Sequence, residues 1–236
     1  MMKDLLEAYF GKHYKSTKRV SAISKVDSGL LSFSDSKACT QCVKWNPQME
    51  KDCERVVLLC DSGNQMVETI ELEAFIDQYA NLKAISSGKK CDILMSDDEK
   101  IVFCDMSCTQ VKYIDPFKMN DGTEKIGKRN TVRIQIENSI SLLNGVPELA
   151  EAISTKQSKI ALFAYRVKPE KTKEDFDSRV SASMKVLDSL NRNLSKTPMY
   201  SSMSNGFLFT EIQYPDVYNW KKGIGNRRIN HSIIHS

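Results

Sequence analysis

The chain has 236 residues, 41% of them hydrophobic and 27% charged, which supplies enough apolar surface for a folded core and excludes a disordered or collagen-like polymer. Its 34 Lys and Arg against 30 Asp and Glu leave a formal charge of +4, so a wholly basic body is excluded and any anion site must be local. No apolar run reaches the roughly 18 residues that a membrane helix needs, so no membrane contact is expected.

In chain order, residues 3–14 carry Leu5, Leu6, Tyr9 and Phe10 on one face of a short helix, and Lys12, Lys15, Lys18 and Arg19 follow as a basic stretch. Strand-like runs at 20–26 and 30–33 are divided by Asp27-Ser28-Gly29. Residues 39–52 read as polar loop, and 55–60 as a buried strand ending at Asp61-Ser62-Gly63. From Glu68 the period becomes helical. Leu72, Phe75, Ile76, Tyr79 and Leu82 share a face, Glu68, Glu71 and Glu73 load the first turns, and Ser86-Ser87-Gly88 closes a helix of about four turns.

Cys91–Met95 and Ile101–Met106 then form two apolar runs around the polar turn 96–100, the pattern of a β-hairpin. Residues 113–128, with Pro116, Asn120-Asp121-Gly122 and Gly127, read as a long loop. Helices are expected over 131–143 and 174–194, and strands over 160–167 and 207–214. The order gives one α/β domain: a β-rich elaboration over 1–67, the α/β core over 68–220, and a basic tail over 221–236.

The chemistry concentrates on the hairpin. Asp92 stands near the start of its first strand and Asp105 near the end of its second, so antiparallel pairing brings the two carboxylates together. Like charges so placed repel, and hard oxygen ligands of this kind suit Mg²⁺ or Mn²⁺, which polarises a phosphoryl oxygen and activates water. The bland alternative is a pair of strand-end acids that bond turn backbone. Asp105 argues against it, because it continues the apolar run Ile101-Val102-Phe103-Cys104 and a buried acid must be compensated.

Element order and the spacing of Asp92 and Asp105 make residues 68–168 resemble the PD-(D/E)XK nuclease-like superfamily, whose core runs helix, three strands, helix, strand. The resemblance implies a restriction-endonuclease-like mixed sheet flanked by helices. It also implies a metal site at Asp92 and Asp105, with a further acid from Glu68, Glu71 or Glu73, Glu71 being the one carried forward. Gln135 matches an auxiliary glutamine that some subfamilies carry on the following helix. Ser107 departs from the pattern, standing where the family has its motif lysine, and a neutral hydroxyl does not stabilise transition-state charge as an ammonium does. Lys90, Lys100 and Lys112 lie nearby, and their spacing singles out none of them as a substitute.

The resulting expectation is a divergent Mg²⁺- or Mn²⁺-dependent nuclease-fold protein that acts on or binds nucleic acid and is catalytically impaired. Its phosphate contacts would come from Lys12, Lys15, Lys18 and Arg19 and from Lys221, Lys222, Arg227 and Arg228. The alternative is a non-catalytic adaptor that keeps the nuclease fold to bind a protein partner. The seven cysteines are an odd number, and the acid-bearing start Met1 to Glu7 does not read as a signal peptide, so a cytoplasmic chain with reduced thiols is expected. Cys39 and Cys42 have the spacing of half a zinc site, but Cys53 and Cys60 make a poor second half, so zinc is not expected. The three histidines, His13, His231 and His235, lie near the ends and offer no partner for a nucleophilic cysteine.

Overall fold

A computed structural model describes residues 2–10, 20–22, 30–34, 56–63, 65–78, 89–167 and 201–225. Its elements begin with α1 (Met2–Phe10), β1 (Val20–Ala22), β2 (Leu30–Ser34), β3 (Val56–Asp61), β4 (Glu68–Glu71) and α2 (Leu72–Gln78). Next come β5 (Ile93–Ser96), β6 (Lys100–Thr109), a 3₁₀ turn (Val111–Tyr113), β7 (Phe117–Lys118) and β8 (Glu124–Lys125). Then follow α3 (Gly127–Asn144), α4 (Pro147–Ser154), β9 (Ser158–Val167), β10 (Ser201–Ser202), β11 (Leu208–Gln213), β12 (Val217–Asn219) and β13 (Gly223–Gly225). The fold is mixed α/β.

The main sheet has six strands in the order β10-β11-β9-β6-β5-β4. Strands β4, β5 and β6 run antiparallel in succession, and β9, reached through α3 and α4, lies parallel to β6 along its whole length, from Lys100↔Ser158 to Thr109↔Val167. The central run Ile101-Val102-Phe103-Cys104 is apolar without interruption because both faces of β6 are covered. On one face Ile101 and Phe103 join Val132, Ile136, Ile140 and Leu143 of α3, with Leu6 of α1 and Leu149 of α4. On the other, Val102, Cys104 and Met106 meet Phe33 and Leu58 of a second sheet, ordered β1-β2-β3-β12-β13, together with Tyr218 and Trp220. Each fully buried Leu, Ile or Phe in such a layer stabilises the fold by about 1.5–3 kcal/mol.

Several expectations change. Residues 68–71 form a strand that pairs with 93–96, not the first turn of a helix, and the helix starts at Leu72. The helical spacing of Leu72, Phe75 and Ile76 is real, but Thr69 and Ile70 are β-branched and gain more from the sheet than a charged first turn would give. Residues 113–128 are not plain loop: a 3₁₀ turn ends at Tyr113 and the β7–β8 ribbon follows, with Gly122 at φ +82° in its turn. Helix α4 is an addition whose signal is Pro147 at the first helical position. The second sheet draws on both ends of the chain, since β12 and β13 join the strands of the N-terminal elaboration, and residues 223–225 of the expected tail are therefore a strand. The helix expected over 174–194 lies outside the described residues, as do residues 39–52.

Candidate functional site

Asp92 lies directly before β5 and Asp105 on β6, one step beyond the pair Ile93↔Cys104, so the register sets the two acids opposite each other. At that point the Asp92 side chain takes over the bond to β6. The Met106 N–H donates to Asp92 Oδ2 at 2.7 Å, and the Leu72 N–H donates to the Asp92 carbonyl at 2.8 Å. Residue 92 thereby ties the end of β4 to β6.

Asp105 is only 2% exposed, and burying a carboxylate demands a compensating donor. Gln135 of α3 supplies it, its Nε2 donating to Asp105 Oδ2 at 2.8 Å and to the Lys90 carbonyl at 3.2 Å. Because both partners only accept, they fix which end of the amide is nitrogen. Gln135 Oε1 is then buried and, among the described residues, has no hydrogen-bond partner. One turn along α3, Ser139 accepts from the Cys91 N–H at 2.9 Å and donates to the Gln135 carbonyl at 2.9 Å. The helix is thus stitched to the segment that leads into Asp92.

Both acids act on the neighbouring thiols. Burial pushes Cys91 and Cys104 well above the ordinary thiol range, and the charges of Asp92 and Asp105 push each of them further. These thiols are held protonated and are not nucleophiles.

The remaining expected residues separate. Ser107 is buried on β6 two residues beyond Asp105, so strand alternation keeps it on the same face. Glu71 is buried at the end of β4, but its register partner Ile93 packs against the second sheet, so Glu71 belongs to the face away from Asp105 and Gln135. Among the described residues, no group of three His, Cys, Asp or Glu side chains is placed to hold a metal ion.

Of the three nearby lysines, Lys90 is buried beside Gln135, at 8% exposure, whereas Lys100 is bonded to the Trp220 carbonyl at the opposite end of β6 and Lys112 lies over the Tyr113 ring. Lys221 and Lys222 follow Trp220 and are exposed at that same far end, away from the acids. Lys12, Lys15, Lys18, Arg19, Arg227 and Arg228, with Cys39 and Cys42, lie outside the described residues. Cys60, Cys91, Cys104 and Cys108 carry free thiols.

A further ionic cluster is not legible in the sequence. Arg129, at the start of α3, bonds both Glu211 of β11 and Asp115, and the hydrogen bond that it donates to Glu211 raises its pKa. The cluster fixes where α3 begins, and with it the height at which Gln135 meets Asp105.

No protein-family model, no curated protein and no solved structure matches the chain. No helix among the described residues is long and apolar enough to cross a membrane.

Proposed function

We propose that the chain is a divergent PD-(D/E)XK-like protein with a restriction-endonuclease-like core, acting on or binding nucleic acid at Asp92 and Asp105. The observation that carries this is the buried bond from Gln135 to Asp105, beside an Asp92 anchored at the same end of the hairpin. The succession of three antiparallel strands, a crossover helix and a strand parallel to the third supports the fold half of the reading.

The donor set fits a hard divalent cation: two anchored carboxylates and a buried amide oxygen that lacks a hydrogen-bond donor among the described residues. Asp92 and Asp105 would hold Mg²⁺ or Mn²⁺, and Gln135 Oε1 would accept from a water on the cation. Such an ion supplies a polarised phosphoryl oxygen and a more acidic water. The chain's own contributions are positional. Gln135 Nε2 and the Met106 N–H fix the carboxylates, and the helix face excludes bulk water from Asp105. Ser107 can orient a water but carries no charge for the transition state, so hydrolysis is slow. That serine also favours the second reading, an adaptor that keeps the fold without the reaction.

Cleavage of labelled single- and double-stranded DNA and RNA with Mn²⁺ tests the proposal. Asp105→Ala abolishes any activity, and Ser107→Lys raises it by on the order of a hundredfold. Robust cleavage that survives Asp105→Ala would place the chemistry elsewhere. Silence of all three proteins, with tight binding to another protein, would select the adaptor.

A further inference from the structure

We infer that the segment 111–128 is a docking platform for single-stranded nucleic acid, leading to the Asp92/Asp105 site; the inference rests on the nucleic-acid reading above and names the form of its substrate. Tyr113 is 36% exposed, and its ring meets that of Phe117 at a centroid distance of 4.7 Å, giving two adjacent aromatic surfaces at the protein's edge. Beside them an open cavity of about 380 Å³ has Pro116, Phe117 and Ile126 on its apolar side and Lys118, Glu124, Lys125 and Asn130 on its polar side. Ile126, at 54% exposure, presents its side chain to this cavity.

Charge separates a polynucleotide from an apolar protein segment as the occupant. Two of the segment's three acids are paired with cations, Asp115 with Arg129 and Glu124 with Lys118 at 3.3 Å, while Asp121 accepts from the Thr123 N–H at 2.9 Å in its turn. Lys112, Lys125 and Lys128 have no carboxylate partner among the described residues, and the Lys112 ammonium lies over the Tyr113 ring at 5.0 Å. Aromatic faces interleaved with unpaired cations take unpaired bases and the phosphates between them, because every base has a π-face and stacking needs no particular sequence. Base-paired strands offer no such faces.

Two independent elements join the platform to the acids. Along β6, the four residues from Asp105 to Thr109 span roughly 13 Å. Along α3, the eight residues from Gly127 to Gln135 span about 12 Å. A strand stacked on Tyr113 would need only a short continuation to bring a phosphodiester to half-buried Asp92, beside Asp105.

Fluorescence anisotropy of labelled oligo-dT and oligo-rU, measured in EDTA to prevent cleavage, tests the inference. Wild type is expected to bind the single strands more tightly than a duplex, and the two oligomers tell DNA from RNA. Tyr113→Leu is expected to weaken binding by about tenfold or more, while Tyr113→Phe, which keeps the ring, binds as wild type does. Lys125→Gln with Lys128→Gln is expected to flatten the slope of log K against log salt by about 1.4, at 0.7 per phosphate contact. Equal affinity in all variants, or preference for duplex, would overturn the platform and leave the nuclease reading to metal binding at Asp105. Absence of oligonucleotide binding by wild type in EDTA would overturn the platform, and its absence with Ca²⁺ in place of EDTA as well would overturn the nucleic-acid reading.

Discussion

Gln135 reaches Asp105 from the middle of a helix that begins 22 residues after the acid, and its Nε2–Oδ2 bond of 2.8 Å lies in the buried layer between α3 and β6. The bond does two things: it lets a carboxylate sit at 2% exposure, and it locks the height of α3 against the sheet. Gln135→Ala leaves Asp105 without this donor and is expected to destabilise the fold by about 1–3 kcal/mol. Gln135→Glu sets a like charge there; it is expected to cost more than alanine at pH 7 and less at pH 4, since protonating either carboxyl removes the repulsion. Urea unfolding of the three proteins at both pH values checks this.

The start of α3 depends on one glycine. Gly127 has φ +77°, and a Cβ there would stand 2.4 Å from the Asp115 carbonyl carbon and 2.8 Å from the Ile114 oxygen, both backbone atoms. The Arg129 N–H bonds the same Ile114 oxygen at 3.0 Å, so the backbone has no room to withdraw. Gly127→Ala is expected to cost about 2 kcal/mol or more, from the left-handed conformation together with the clash. Its melting temperature should fall well below that of Gly122→Ala, since Gly122 shares the positive φ but meets no atom within 4 Å.

Alkaline pH should act through buried neutral groups. Burial, with the charge of Asp61 adding to it, raises the Cys60 thiol to about 12, and burial followed by the Glu211 charge raises Tyr165 to about 12. A group whose folded pKa is raised contributes stability in full below its unfolded pKa and loses it as pH rises through the folded value. For Cys60 and Tyr165 the loss begins near pH 9 and runs to about pH 12, and Cys91 and Cys104, also raised by burial, act in the same direction. Lys100, lowered by burial, works in the opposite sense. Net stability is expected to fall between pH 9 and 11, as measured by urea midpoints. In the native protein at pH 8, a thiol reagent should modify half-buried Cys108 far faster than Cys60, Cys91 or Cys104.

Much of the main sheet is legible in the sequence because β6 carries a continuous apolar run and α3 carries Val132, Ile136, Ile140 and Leu143 at helical spacing. Glu68–Glu71 misleads because its acids look like helix-start charges, and only pairing with residues 93–96, a non-local fact, makes it a strand. The opposition of Asp92 and Asp105 follows from the hairpin's local register, so sequence alone reaches it. The bond of Gln135 to Asp105 depends on the crossover that lays α3 over β6, and the separation of Glu71 from both acids depends on which face each strand buries. Neither is encoded locally. Ser139, four residues after Gln135 on an otherwise apolar stripe, is the one additional signal that could have marked that helix face as polar.

The central claim is that Asp92 and Asp105 form a divalent-cation site, and Mn²⁺ binding followed by electron paramagnetic resonance tests it most directly. Wild type is expected to take up one Mn²⁺ weakly, because two carboxylates without a substrate phosphate leave most of the ion's water shell in place. Asp105→Asn, which keeps the shape and removes the charge, should abolish that uptake, and Mg²⁺ should compete for it. No Mn²⁺ uptake by wild type, or undiminished uptake by Asp105→Asn, would contradict the claim.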